Sequence, residues 1–358
     1  MRTPDRTPEA VTAAIAFTPR QEAQSPQCRG RIGEPRAYTY YRCMVVAYAS
    51  LRRFNPRADL VLVTTEPLPG PFAAEFACLG VEVLTVPFRH CPPAEFGRGW
   101  ETSLYLIDAL QALRDRPGTL VLSDPDQLCV RPLDALLERC AGRVGVQGER
   151  LADLQKPTSD KTREYRQVSA EVHAELGEPD PEHNFYGGHF YAIPDRLLGT
   201  LLDRLEKVYA HSLARFEQGR PWLWTDEHMM NFALRKLPLA EMSADVRSIP
   251  TAPWRRFLTD RQTILGLTLW HLIHEKDLGF QRLHPPALDA ESWFWSAGDE
   301  EFRSRAGRIL SATGRSPQRA LLNACGDLVE RLTTERLQHR LKPVYSRMVQ
   351  LTATMRQG

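Results

Sequence analysis

The chain has 358 residues, long enough for one large domain or two smaller ones. A hydrophobic share of 42% and a charged share of 25% are those of an ordinary folded protein, and the formal net charge of +2 gives no bulk attraction for nucleic acid. The longest apolar run, around 44–51, is interrupted by Tyr48 and Ser50 and falls short of the roughly 20 residues of a helical membrane span.

The opening MRTPDRTPEAV lacks the apolar core of a signal peptide, so a cytoplasmic protein is expected. Seven cysteines, an odd number with no C-x-x-C pair, fit reduced core thiols better than disulfides or zinc.

After a short tail (1–10), VTAAIAF (11–17) reads as a strand, followed by a Pro/Gly/Gln/Arg-rich loop to about residue 37. Met44, Ala47, Tyr48 and Leu51 recur at helical spacing. ADLVLVTTE (58–66) is a buried strand, PFAAEFACLG a short helix closed by glycine, and VEVLTVPF (81–88) another strand. Thr102 or Ser103 is placed to cap a helix carrying Leu106, Leu110 and Leu113 inward. Pro117-Gly118 ends it, and TLVLSD begins the next strand. Strand and helix alternating in this way predict a mostly parallel sheet covered on both faces.

RVGVQGE (143–149) reads as a further strand, 150–182 as a polar flap or helical excursion, and NFYGGHFYAIP (184–194) as a strand with a double glycine. Asp195 is expected to cap a helix with Leu197, Leu201, Leu205 and Val208 inward, and Thr225 to start another that runs through Arg235. Residues 291–358 are expected to form a basic helical extension. Beyond Glu301 its basic residues, from Arg303 to Arg356, face only Asp327, Glu330 and Glu335. A solvated helical face is the plainer explanation; peripheral contact with anionic lipid or an acidic partner is the sharper one.

Four segments can carry chemistry. Asp124-Pro125-Asp126 follows an apolar strand, where open α/β sheets bind ligands. In extended backbone residues i and i+2 point the same way. Two carboxylates there suit Mg²⁺ or Mn²⁺ on a diphosphate, although Asp and Pro serve equally as a turn. In Trp224-Thr225-Asp226-Glu227-His228 the acids fit a helix first turn, and one of them is also suited to stabilise charge at a sugar anomeric carbon or to attack it. The double glycine of Tyr186-Gly187-Gly188-His189 implies a bulge or the close approach of a ligand. TLWHLIHEKDLGFQRLH holds His271, His274 and Lys276, and alternation would put His274 and Lys276 on one face, suited to metal and phosphate.

Taken in order, residues 11–285 resemble the GT-A fold glycosyltransferases that use nucleotide sugars. SDPDQLCVRPLDALL is similar to the D-x-D strand and turn of the glycogenin-like and bacterial lipooligosaccharide galactosyltransferases. FYGGHFYAIP is similar to their Asn-Ser/Ala-Gly strand, with Tyr186 in place of the asparagine. WTDEHMMN resembles the W-H-D-E-S-H-L-N stretch of the blood-group and α-1,3-galactosyltransferase family.

The resemblance implies an α/β GT-A domain over 11–290, with a nucleotide half (11–135) and an acceptor half (136–290), and a metal-dependent retaining transferase using a UDP-sugar with Mn²⁺ or Mg²⁺. It implies Asp124, Asp126 and a histidine, His274 or His271, as metal ligands, and Lys276 on the phosphates. Glu227 would act at the anomeric carbon and Asp226 on a sugar hydroxyl. Phe17 and Thr18 would hold the base, with Tyr40 or Tyr41 stacked on it. Gly187, Gly188, His189 and Trp254 would contact substrate. The acceptor is a glycan, a lipid-linked sugar or a small molecule.

Two other classes compete. A phosphohydrolase with Asp124 as nucleophile needs Thr or Val where Leu128 stands, and a nucleotidyltransferase needs a G-x-G-T-R-like loop after the first strand, which is absent. A non-catalytic nucleotide-sugar or glycan-binding protein of the same fold is opposed by the joint presence of Asp124, Asp126, Asp226 and Glu227.

Overall fold

The computed structural model describes residues 10–19, 34–148, 160–178, 185–251 and 261–314. The first half runs β1 (Val11–Phe17), α1 (Arg36–Phe54), β2 (Asp59–Thr64), α2 (Gly70–Cys78), β3 (Val81–Thr85), α3 (Tyr105–Ala112) and β4 (Thr119–Ser123). Then come β5 (Gln127–Cys129), α4 (Asp134–Cys140), β6 (Val144–Gly148), α5 (Asp160–Glu175), β7 (Tyr186–Pro194), α6 (Asp195–Glu217) and α7 (Asp226–Leu234). The chain continues through β8 (Leu239–Glu241), β9 (Val246–Ser248), α8 (Arg261–Gly266), β10 (Leu269–His271), α9 (Gly279–Leu288), α10 (Trp293–Ser296) and α11 (Asp299–Ile309).

The expected α/β architecture is borne out. Seven strands form one sheet in the order β3-β2-β1-β4-β7-β6-β8. Strands β3, β2, β1 and β4 are parallel, and β7 runs antiparallel between β4 and β6. Interior strands such as TLVLS are buried along their whole length, because helices cover both faces. Ile15, Leu60, Leu62 and Val121 pack with α1 on one side. Ala14, Val61, Val63, Leu120 and Leu122 pack with α3, α6 and α7 on the other. From β1 the chain steps outward to β2 and β3, then returns to place β4 on the opposite side. That reversal leaves a crevice beyond the carboxyl ends of β1 and β4, the standard ligand position of an open α/β sheet.

Three features differ from expectation. A second sheet, β5-β10-β9, is built from three-residue strands too short to show a period. Asp195 does not cap its helix; its Oδ2 accepts from the Gly118 N–H at 2.8 Å and ties the start of β4 to the end of β7. Thr102 and Ser103 do not cap α3 either, because a 3₁₀ turn over Glu101–Leu104 leads straight into it. The Thr225 cap is as expected, its Oγ1 accepting from the His228 N–H at 3.1 Å.

Past residue 290 the packing is continuous. The Arg53 guanidinium donates to the carbonyls of Phe294 and Trp295 at 2.6 Å each, and Phe302 meets Phe54 at 5.3 Å. Within 150–182, α5 docks Tyr165 and Val172 into the core; the segments on either side, Trp254, and the basic stretch from Arg315 lie outside the described residues. Cys43, Cys129 and Cys140 are buried thiols, whereas Cys78 and Cys91 are exposed. Among the described residues no helix is long and apolar enough to cross a membrane.

The wall helix α3 is joined to α6 by His90. Its Nδ1 lies 2.8 Å from Asp108 Oδ1 and its Nε2 3.0 Å from Glu206 Oε2. The hydrogen bond to Asp108, helped by Glu206 and opposed by burial, raises the His90 pKa. A folded-state pKa above the unfolded value, about 6.5, stabilises below that value, and the contribution is lost as pH rises through the folded pKa. The wild-type melting temperature is therefore expected to fall more steeply above about pH 6.5 than that of His90→Gln; parallel melting-temperature curves would refute the clamp.

Candidate active site

The crevice is open to solvent and encloses, with the solvent at its mouth, about 470 Å³ of space between protein atoms. Thr18, Ser123 and Asp124 line it from the strand ends, Thr102, Ser103, Tyr105 and Leu106 from the α3 side, and Gly188 and Asp226 complete it.

Asp124-Pro125-Asp126 is a turn as well as a cluster. The Gln127 N–H donates to the Asp124 carbonyl at 3.3 Å, and the strand ends there. The turn splits the two carboxylates: the Asp124 side chain is 43% exposed, that of Asp126 only 2%. Antiparallel pairing of β10 with β5 sets His271 opposite Gln127. That register brings His271 Nε2 to 3.4 Å from Asp124 Oδ2 and 3.5 Å from Asp126 Oδ2. One ligand atom from each of the three residues lies within 4.8 Å of the others.

The expectation of His274 is corrected here. His274 lies in a 3₁₀ turn over Ile273–Glu275, so strand alternation does not carry it beside Lys276, and it is not a member of the cluster. His271, the alternative, is the histidine that reaches both aspartates. Ser248 Oγ, 2.7 Å from His271 Nδ1, fixes the far side of its ring, and the sequence carries no signal for that serine.

Lys276 Nζ donates to Asp126 Oδ2 at 2.5 Å. Burial works to lower the lysine pKa, but the carboxylate more than reverses this and it titrates above its ordinary range. For Asp126, burial works to raise the pKa, and Lys276 with His271 holds it well below the carboxylate range. At Asp124 desolvation raises the pKa, opposed by the charges of His271 and Lys276 and reinforced by Asp126.

The double glycine marks a bulge. Between the pairs Val146↔Tyr191 and Gly148↔Tyr186 the β6–β7 register shifts. The bulge turns the His189 carbonyl toward the D-x-D turn, where it accepts from the Asp124 N–H at 3.3 Å and Gln127 Nε2 at 2.5 Å. The His189 ring stacks on His271, centroids 4.2 Å apart, and burial, then the neighbouring imidazole, lowers its pKa. His189 thus packs behind the cluster and does not line the crevice. Gly187 is packed tightly, since a Cβ there would fall 2.7 Å from Gln147 Oε1 and 2.8 Å from His189 Cε1. Gly188 faces Glu227, whose Oε1 accepts the Gly188 N–H at 3.0 Å.

Of the two acids at the start of α7, Asp226 lines the crevice, with its N–H donating to Ser103 Oγ at 3.4 Å, while the Glu227 carboxylate is held on the bulge. Thr18 lines the crevice. The aromatic side chains expected at the nucleotide base, Phe17, Tyr40 and Tyr41, are buried in the core. Phe17 is fully buried against Tyr40 and Tyr41, at 5.4 and 5.6 Å, because the alternation that makes β1 a core strand turns residue 17 inward. Tyr40 is 5% exposed, with Lys276 Nζ 5.9 Å from its ring centroid.

No protein-family model matches the chain, and no curated protein matches it in sequence. Among solved structures it is similar to the bifunctional glycosyltransferase WbbM (11% identity, 85% of this chain and 53% of that one, TM-score 0.46). It is also similar to mouse xyloside xylosyltransferase 1 (14%, 74% and 98%, TM-score 0.41). A third is the galactosyltransferase LgtC with donor and acceptor sugar analogues (13%, 86% and 98%, TM-score 0.46). The chain spans about half the length of WbbM.

Proposed function

We propose that this chain is a metal-dependent, retaining GT-A glycosyltransferase that moves a hexose from a nucleotide sugar, UDP-linked, to a glycan, lipid-linked or small-molecule acceptor. The observation that carries the reading is the meeting of Asp124, Asp126 and His271 within 4.8 Å at the carboxyl edge of β4, in a crevice that Asp226 also lines. Two carboxylates and an imidazole suit Mn²⁺ or Mg²⁺, so the donor set fits the ion. A divalent cation held there supplies charge neutralisation to a diphosphate leaving group.

The chain's own groups do the rest. Lys276 adds a fixed positive charge behind the cluster, locked by Asp126. Thr18 borders the donor. Asp226 meets a sugar hydroxyl from the start of α7, and Glu227, steadied by the Gly188 N–H, stabilises positive charge developing at the anomeric carbon.

The test is a thermal-shift screen of UDP-, GDP- and dTDP-sugars with and without Mn²⁺, followed by UDP release with candidate acceptors. Metal-dependent stabilisation by a UDP-sugar and turnover are expected. Binding without turnover across the panel would favour a non-catalytic sugar-nucleotide-binding protein. For the metal, His271→Ala is expected to weaken Mn²⁺ binding at least about tenfold in calorimetry while His274→Ala leaves it unchanged; the reverse order would move the ligand to His274.

A further inference from the structure

The two sheets meet at a pair of histidines. His189 lies on β7, beside the bulge of the double glycine, and His271 ends β10. Their rings are stacked, with centroids 4.2 Å apart and planes 21° from parallel. Packing alone does not favour a histidine at position 189. The residue is 8% exposed, and its buried Nε2 has no hydrogen-bond partner among the described residues. A phenyl ring of similar shape would fill the same space without desolvating a nitrogen.

The stack acts on His271, which is also held at both of its nitrogens. Ser248 Oγ lies 2.7 Å from its Nδ1, and its Nε2 faces Asp124 Oδ2 and Asp126 Oδ2 at 3.4 and 3.5 Å. A hydroxyl rotates to follow a tilting ring, whereas a flat surface against the face of that ring resists the tilt. An imidazole that holds a cation is also positively polarised, and an aromatic face beside it is attractive. The main chain of the same residue steadies the aspartates. The His189 carbonyl accepts from the Asp124 N–H and from Gln127 Nε2.

We propose that His189 is a positioning residue for the cation site: its ring, stacked on His271, keeps the His271 Nε2 aimed at Asp124 and Asp126 before the ion arrives. This rests on the metal reading of that cluster, of which His189 is not itself a member.

The test is calorimetry with Mn²⁺ alone on the full chain, with the visible spectrum of bound Co²⁺ as a second readout. His189→Leu keeps the carbonyl and fills most of the volume but has no flat face. It is expected to weaken Mn²⁺ binding about tenfold or more. His189→Phe restores the face and should bind Mn²⁺ within about threefold of wild type. Its melting temperature should be no lower than wild type, because the unpaired nitrogen is gone. The Co²⁺ spectrum, which reports ligand geometry, should shift in His189→Leu and return in His189→Phe. In a His271→Ala background, His189→Leu should cause no further loss of Mn²⁺ affinity, since the ring acts through His271.

A loss in His189→Phe as large as that in His189→Leu would overturn the proposal, as would a full additional loss in the His271→Ala background. Loss of Mn²⁺ affinity in His271→Ala with none in His189→Leu would remove His189 from the site and leave the metal reading intact. A wild type that binds no Mn²⁺ would end both. If Mn²⁺ binding depends on the ring at position 189 but no nucleotide sugar adds to it, the positioning role stands and the nucleotide-sugar reading fails.

Discussion

Asp126→Asn is expected to abolish Mn²⁺-dependent UDP binding and to destabilise the fold by about 3 kcal/mol or more, because it leaves the Lys276 ammonium buried without its counter-charge. The two side chains are 2% and 7% exposed and meet at 2.5 Å, so water cannot replace the lost carboxylate. Function and stability are separable here. In the double variant Asp126→Asn/Lys276→Met both charges are gone and a similar volume is filled. Stability should return to within about 1–2 kcal/mol of wild type, while UDP binding stays absent. Chemical denaturation and calorimetry on the same samples check both halves. Retention of Mn²⁺-dependent UDP affinity by the single variant would sink the cluster's assigned role.

Glu227→Gln is expected to lower the transfer rate by about 10²–10³, with stability within about 1 kcal/mol of wild type. The amide oxygen can still accept the Gly188 N–H, so the bulge and the start of α7 keep their geometry and only the charge is lost. UDP–Mn²⁺ affinity should not move, since the metal cluster is untouched. Asp226→Asn makes the comparison. A loss below tenfold in Glu227→Gln with a larger loss in Asp226→Asn would transfer the central role to Asp226, the acid that lines the crevice.

Much of the fold was legible because its signals are local. VTAAIAF, DLVLVT and TLVLS are continuous apolar runs, and such runs become interior parallel strands. Thr225 before two acids marks a helix start by chemistry that acts within three residues, and the cap is there. A local period does not hold beyond the element that carries it. Alternation in HLIHEK predicts strand past His271, but the strand stops there and a 3₁₀ turn follows, so the histidine beside the two aspartates is His271, three positions before His274. Thr102 and Ser103 have cap chemistry, yet they line the crevice, because Leu104 and Tyr105 continue the turn into α3 without a break.

By itself the sequence determined the alternating α/β plan, the end of an apolar strand at Asp124, and the pairing of Asp226 with Glu227 at a helix start. Each depends on hydrogen bonds and side-chain periods only a few residues long. The tertiary structure alone decided that His271 joins the two aspartates, that Ser248 fixes its ring, that the Gly187-Gly188 bulge serves both the D-x-D turn and Glu227, and that Phe17 and Tyr40 belong to the core. Those outcomes depend on which strands pair and in what register. The β5–β10 register joins residues more than a hundred positions apart, and no local period in the chain encodes it.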